Sequence, residues 1–482
     1  MPAAQLHSHY NPALEAERYI EALKIRSGIE YFILIEPGTG YLIPVLKRRF
    51  PGAKIIALHT DTIFSADPAA VQLSQGVPSW FPGSSSGLQE FLERNIPDIE
   101  AQSVQIIEWR PSLKAYGEAY RLLLCEAAAF IRRADANART AGNFGRRWLK
   151  NFFKNISLPR SFLSPAPFEK PVIIAGSGPG LEKALPVLTP VKNDVFIIAA
   201  SSAVAALSSA GIASDVVIST DGGPWALLHL NECFRSKNEY FCTAPVKKPA
   251  LAVNFCAALP SQCSRLPFLV MNDGSLWQSL VLKGLGIPSV RLPQRGTVTA
   301  SALDLALLLS RGKIFITGMD LAVHDIRTHA RPYGFDPLLR DTAFRLNPFY
   351  SQSFVRAGEI NAGGSHRIYA AWFNEQLKNW PDRIFSLGKN NPVFAALKKA
   401  ELPAADPAKE QLFENPFTSV PAPPFSPEAA VKILDSALAD RTLSGALSAE
   451  LSPLLFSGSR NAAAIDIQAA LHRLNLNGAQ HG

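Results

Sequence analysis

Short runs of apolar residues alternate with helical stretches through the middle of the chain. PVIIAG (Pro171–Gly176), NDVFIIAA (Asn193–Ala200) and SDVVISTDGG (Ser214–Gly223) lack the period-two alternation of a half-exposed strand. Such runs predict strands covered on both faces, as in parallel sheets. LEKALPVL and SSAVAALSSAG between them predict the crossover helices, and strands recurring about every 20 residues imply βαβ units. TVTASALDLALLLSRGKIFITGMDLAV repeats the unit, with a helix apolar nearly all round that ends at Gly312 before the strand KIFITG. Upstream, YFILIE (Tyr31–Glu36), the turn PGTGYL, a helical stretch and KIIALHTD (Lys54–Asp61) read as strand, turn, helix, strand. A helical tract runs from about Leu113 to Ile156, and SLPRSFLSPAPFEKP after it reads as a Pro-rich linker. Beyond Pro392 the chain is Pro/Ala-rich and then forms short amphipathic helices. The expected fold class is α/β, with an N-terminal Rossmann-like domain (1–165), a central parallel-sheet domain (166–395) and a helical C-terminal region (396–482).

Composition narrows the class. Of 482 residues, 47% are hydrophobic and 18% charged, which describes a globular chain. Five cysteines without a C-x-x-C pair argue against a disulfide scaffold or a zinc finger. The start lacks a signal-peptide pattern, and no apolar run approaches the ~18 residues of a membrane span. A cytoplasmic protein is expected. The net charge of +8 is uneven, because residues 401–482 hold five bases against nine acids. Residues 131–170 hold nine bases against Asp135 and Glu169, interleaved with Phe144, Trp148, Phe152 and Phe153. Such a helix either buries its aromatic side and solvates its charges, or presents an electropositive surface to an anionic ligand. No nucleic-acid-binding motif accompanies the charge, so nucleic acid is not expected as a partner.

The strongest candidate site is Gly176-Ser177-Gly178-Pro179-Gly180-Leu181, a turn between strand and helix. Glycines admit close approach of a ligand, and a helix start offers free N–H groups to a phosphate. A tight structural turn explains the glycines equally well. The run is no Walker loop, and Ser201 stands where a dinucleotide fold wants an acid closing the second strand. Gly178→Val is expected to abolish nucleotide binding with little change in melting temperature. Asp221 and Asp320 follow strands, at the sheet edge where open α/β folds bind ligands. Arg295, Thr297 and Thr299 precede the buried helix, and the threonines suit N-caps as well as ligands. His324, Asp325, His329 and His366 follow in loops, but H-D-x-x-x-H is no strong zinc spacing. At the N-terminus, Glu36-Pro37-Gly38-Thr39-Gly40 with Asp61 suits either ribose recognition or a plain structural turn.

GSGPGL after a strand, DVVISTDGG two strands on, ITGMDLAVHDIRTHA and the lead-in NARTAGNFGRRWLKNFFKNI resemble the motility-associated factor (Maf) family of bacterial flagellin glycosyltransferases. The resemblance covers about residues 30–395. The central domain is also similar to CMP-dependent, metal-independent sialyltransferases. There the Gly176–Leu181 loop matches a G-N-G-P-S-L motif, Arg295-Gly296-Thr297-Val298-Thr299 an R-x-T-S-G run, Gly318-Met319-Asp320 a G-I-D strand end, and Gly364-Ser365-His366 a G-H-S base motif. The chain departs from that pattern at Ser177 and Gly180. Ala322 and Thr328 stand at the spacings of its phosphate-holding tyrosines, and GSH replaces GHS.

The resemblance implies transfer of a nonulosonic acid from a CMP donor to Ser/Thr of flagellin, with no cofactor required. The implied roles are nucleotide-sugar binding for Gly176, Ser177, Gly178, Pro179, Gly180, Ser201, Asp221, Thr297, Thr299, Gly318 and Asp320. Arg295 or His329 would neutralise charge, and His366 would be the base. A related rival with a similar loop, the archaeal 6-hydroxymethyl-dihydropterin pyrophosphokinases, implies magnesium on Asp221 and Asp320. A third reading is a non-catalytic flagellin-binding or chaperone module.

Overall fold

Two parallel sheets form where the apolar runs demand them. The computed structural model describes residues 6–234, 249–324, 326–362, 369–370, 373–374, 377, 382–387, 397, 402, 416–456 and 463–478. Its chain forms two compact units, residues 1–145 with 452–462, and residues 146–451 with 463–482. Among the described residues no helix is long and apolar enough to cross a membrane.

In the first unit, β1 (Tyr31–Ile35), β2 (Lys54–Leu58), β3 (Ser79–Trp80) and β4 (Val104–Glu108) form a parallel sheet in the order β3-β2-β1-β4. Every residue of β1 is buried. The helix Arg110–Asn155 is broken once, at Gly117, whose φ of 50° and ψ of −109° leave the helical region. Its buried Tyr120, Leu123, Ala127, Phe130 and Ala134 recur at three- and four-residue intervals and pack with Ile33, Ile35, Ile56 and Leu58.

The second unit carries a larger sheet. Its strands are β5 (Ser161–Pro165), β6 (Val172–Ala175), β7 (Phe196–Ala200), β8 (Val216–Ser219), β9 (Ala250–Val253), β10 (Phe268–Asn272), β11 (Ser289–Arg291), β12 (Ile314–Thr317), β13 (Ile384–Ser386) and β14 (Phe417–Pro421). Their order is β13-β12-β6-β7-β8-β9-β10-β5-β14, with β11 beside β10, and only β14 runs antiparallel. This is the α/β parallel-sheet fold that the apolar runs predict. The expected linker is in part a strand: Phe162 and Leu163 are buried, and β5 joins β10 to β14. Helix Val298–Leu309 lies on Val172, Ile174, Phe196, Ile198, Val216 and Ile218, which explains its apolar inner face, while Leu308 is exposed. Helix Gly180–Leu188 joins β6 to β7, and a right-handed crossover places it on the other face.

The lead-in to this sheet buries Phe152 and Phe153, whereas Trp148 is half-buried and Phe144 exposed. Leu149, Phe152, Phe153 and Ile156 are buried, whereas Arg146, Arg147, Lys150 and Lys154 are exposed. Two asparagines on the same stretch brace the loops that leave β8 and β9. Asn151 Nδ2 donates to the carbonyls of Gly222 (3.1 Å) and Cys256 (2.9 Å). Asn155 Nδ2 donates to those of Phe255 (2.8 Å) and Ala257 (2.7 Å). Asn155 is 1% exposed, so removing its amide strands two buried carbonyls. Asn155→Ala is therefore expected to cost about 2–4 kcal/mol, read as a lower denaturation midpoint with an unchanged m-value.

Candidate functional site

The sheet reverses direction at β6. From there the chain steps through β7, β8, β9 and β10 on one side, while β12 joins on the other. Open α/β sheets bind ligands at such a point, beyond the carboxyl ends of the strands. The turn Gly176–Gly180 after β6 and Gly318–Asp320 after β12 meet here.

They meet backbone to backbone. Gly176 N donates to Thr317 O at 2.8 Å, and Gly178 N to Gly318 O at 2.6 Å. A Cβ on Gly176 would lie 2.5 Å from Gly318 O, and one on Gly178 would lie 2.8 Å from it. The glycines thus serve packing directly, whatever they hold besides. The expectation that Gly178→Val leaves stability untouched is overturned by that contact with a backbone atom, which a side chain cannot push aside.

The start of helix Gly180–Leu188 already has an anion. Asp320 Oδ2 accepts from Gly180 N at 2.9 Å, and its Oδ1 lies 3.4 Å from His324 Nε2. Ser177 sits beside it: its carbonyl accepts from Ala330 N at 2.8 Å, and its hydroxyl accepts from Ser202 Oγ at 2.8 Å. Pro179 takes helical φ and ψ as the residue before the helix. Ser201 is buried in the turn after β7.

The segment after Asp320 is held against this turn. Glu182 accepts from Arg327 Nη1 at 3.0 Å and from Arg331 N at 2.8 Å. That fixes His329, whose Nδ1 lies 2.8 Å from Thr328 Oγ1 and whose ring stacks on Tyr333 at 4.1 Å and 14°. Arg356 reaches in from helix Phe349–Ala362. Its Nη2 donates to Tyr333 Oη at 3.4 Å, and its guanidinium covers the Phe335 ring at 4.8 Å. Arg331, paired with the buried Asp336 at 3.5 Å, lines a cavity with His329, Tyr333, Ser353 and Arg356. Burial pushes Tyr333 up to about 12, opposed by Arg356. Burial and then the Arg356 charge lower His229, stacked on Phe335 at 4.7 Å, to about 4.

The structure therefore brings Gly176, Ser177, Gly178, Pro179, Gly180, Ser201, Gly318, Asp320 and His329 to one crevice. Asp221 lies elsewhere on the edge, after β8, where its exposed carboxylate accepts from Gly223 N at 2.7 Å. Arg295 donates from Nε to Asp304 at 2.6 Å, and Thr297 caps the buried helix by accepting from Ala300 N at 3.1 Å. Thr299 is half-buried in the first turn of that helix. Asp325 and His366 lie outside the described residues. Tyr333, Arg356 and His229 were missed by the sequence reading. For Tyr333 the signal available was a dense run of rings and bases, HARPYGF, after the G-M-D strand end; Arg356 and His229 lie outside that run. Among the described residues no group of three or more His, Cys, Asp or Glu side chains is placed to hold a metal ion.

The N-terminal Gly turn is closed from within its own unit. The buried Glu36 carboxylate accepts from Thr60 N (2.6 Å), Thr60 Oγ1 (2.8 Å) and Gly38 N (3.3 Å), beside His59 Nδ1 at 3.2 Å. Thr39 N donates to His7 Nε2 at 3.1 Å, and Asp61 Oδ1 accepts from Ile63 N at 3.0 Å.

Three comparisons bear on this arrangement. Residues 146–325 match the MptE-like family, described as 6-hydroxymethylpterin diphosphokinase MptE-like. An uncharacterized protein of Treponema pallidum is 26% identical over 325 residues, 66% of this chain and 68% of its own length. A solved Maf glycosyltransferase from Magnetospirillum magneticum superposes with a TM-score of 0.48 at 13% identity, over 99% of this chain and 80% of that one.

Two outcomes are expected. Gly178→Ala should lower stability by about 1–3 kcal/mol, seen as a drop of a few degrees in Tm. An unchanged Tm would remove the packing role. The second follows from His229. Because its folded pKa lies below that of the unfolded chain, the unfolded chain binds the extra proton as pH falls from about 6.5 to 4. Stability should fall across that window, by at most about 3 kcal/mol from this group. In His229→Gln the pH dependence of Tm should be visibly flatter.

Proposed function

We propose that this chain is a cytoplasmic glycosyltransferase that moves a nonulosonic acid, of the pseudaminic or legionaminic type, from a CMP donor to Ser/Thr hydroxyls of flagellin. The observation that carries the reading is the crevice at the sheet's reversal, where a Gly turn meets a wall built from His329, Tyr333 and Arg356. The acceptor oxygen bonds to the sugar's anomeric carbon as the bond to the CMP phosphate breaks, so negative charge grows on the leaving phosphate. Arg356 and His329 supply charge and hydrogen-bond donors on the side where that phosphate would leave. The acceptor's proton passes to a base, for which His366 is the candidate.

A second reading, pterin pyrophosphokinase, is favoured by the description of the matched family. It needs Asp221 and Asp320 on magnesium. Those residues follow β8 and β12, which stand three strand spacings apart, about 14 Å at ~4.8 Å per strand. In this structure Asp320 accepts from Gly180 N and Asp221 from Gly223 N.

The test is to incubate the protein with flagellin and CMP-nonulosonates, with and without EDTA, and weigh the flagellin by intact mass spectrometry. A mass gain of whole sugar residues is expected in both arms. His329→Ala should weaken donor binding, and His366→Ala should lower kcat about a hundred- to ten-thousand-fold at unchanged CMP affinity. No mass gain, or product formed from ATP and hydroxymethylpterin only with magnesium, would sink the proposal.

A further inference from the structure

The part of helix Arg110–Asn155 that belongs to the first unit has a surface that the proposed reaction leaves unused. Where residues 131–139 of this helix pass the turn 26–28 and residues 101–102, they enclose an open groove of about 550 Å³. It lies at the amino-terminal edge of the first unit's sheet, since these turns lead into β1 and β4. Arg26, Arg132 and Arg139 line it, all exposed, and Asp135 is the single acid in the lining. That carboxylate is already engaged, by Arg139 Nη2 at 2.8 Å and by Gln102 Nε2 at 2.9 Å. Three positive charges against one negative leave the groove basic, with Arg26 Nη2 donating to Val104 O at 2.5 Å and Arg139 paired with Asp135. Its floor is mildly apolar, from Ile131 and the buried Ala101, and a Cβ on Gly28 would meet nothing within 4 Å.

We propose that this groove docks an acidic polypeptide segment of a partner. The spacing of charge selects the occupant. Arg132 and Arg139 are seven residues apart on one helix, about 10 Å along its axis at ~1.5 Å per residue. That equals about three residues of extended chain at ~3.4 Å each. A compact phosphate needs donors converging on one point, whereas separated guanidinium forks match carboxylates carried at intervals along a strand. The lining holds no aromatic ring on which a nucleobase would stack, which disfavours single-stranded nucleic acid.

The probe is a fluorescein-labelled hexaglutamate peptide, followed by anisotropy with the full chain. Binding is expected at low ionic strength, weakening toward about 0.15 M salt as exposed charges are screened. The double reversal Arg132→Glu/Arg139→Glu should weaken it about tenfold or more. The charge-matched control Lys283→Glu/Arg441→Glu, on the other unit, should bind as the wild type does. Equal loss in both variants assigns the effect to net charge and overturns the groove. So does an affinity unmoved by the first reversal, or no binding by the wild type. A short oligodeoxythymidine bound more tightly than the peptide, and lost in the first reversal, would replace the polypeptide with nucleic acid. A circular dichroism spectrum identical to wild type excludes misfolding of the variants.

Discussion

The central unit depends on two backbones passing closer than side chains allow. The turn after β6 donates to the end of β12, Gly176 N to Thr317 O and Gly178 N to Gly318 O, with Gly318 at a φ of +63°. Any β-carbon there would sit inside a carbonyl oxygen's contact distance. This crossing locks β6 to β12 at the point where the sheet reverses. It also aims the start of helix Gly180–Leu188 at the edge of the sheet. The crevice, the segment 327–333 and the helix Phe349–Ala362 are arranged around that fixed point, through Ser177 O, Glu182 and Tyr333.

A second support comes from before the sheet. Asn151 and Asn155 spend their amide protons on four carbonyls, those of Gly222, Phe255, Cys256 and Ala257. A loop of irregular backbone cannot satisfy these acceptors itself, and leaving them buried without donors is costly. The lead-in helix is thereby part of the sheet's carboxyl edge. Its exposed bases and the buried Phe152 and Phe153 follow from one amphipathic surface.

Much of the fold was legible because strands covered on both faces announce themselves as unbroken apolar runs. β1, β2, β6, β7, β8 and β12 were read that way. β5 was hidden among prolines in a stretch whose local composition says linker, and only pairing with β10 and β14 makes it a strand. The Gly turn and Asp320 were found from their positions after strands. Their mutual hydrogen bond, spanning 140 residues, was not. The two bracing asparagines act across 71 to 105 residues, and Arg356 meets Tyr333 across 23, so no local pattern marks them. The role of Thr297 as a helix cap was readable from its place before an apolar run, and the structure gives it that bond.

Asp320 gives the crevice a property that no motif conveys. Its carboxylate rests on Gly180 N, where an incoming phosphate would otherwise find a free donor. In the proposed reaction, phosphate entry is then an exchange of one anion for another. The gain on exchange is the difference between the two, so a group carrying more charge and more acceptor oxygens is favoured over one that merely matches a carboxylate. In the proposed reaction the phosphate is a singly charged diester in the donor and gains charge as CMP departs. The cost of displacing the carboxylate is common to the intact donor and the departing group, so the preference between them falls to the donors around the seat, Arg356 and His329 in the proposed reaction.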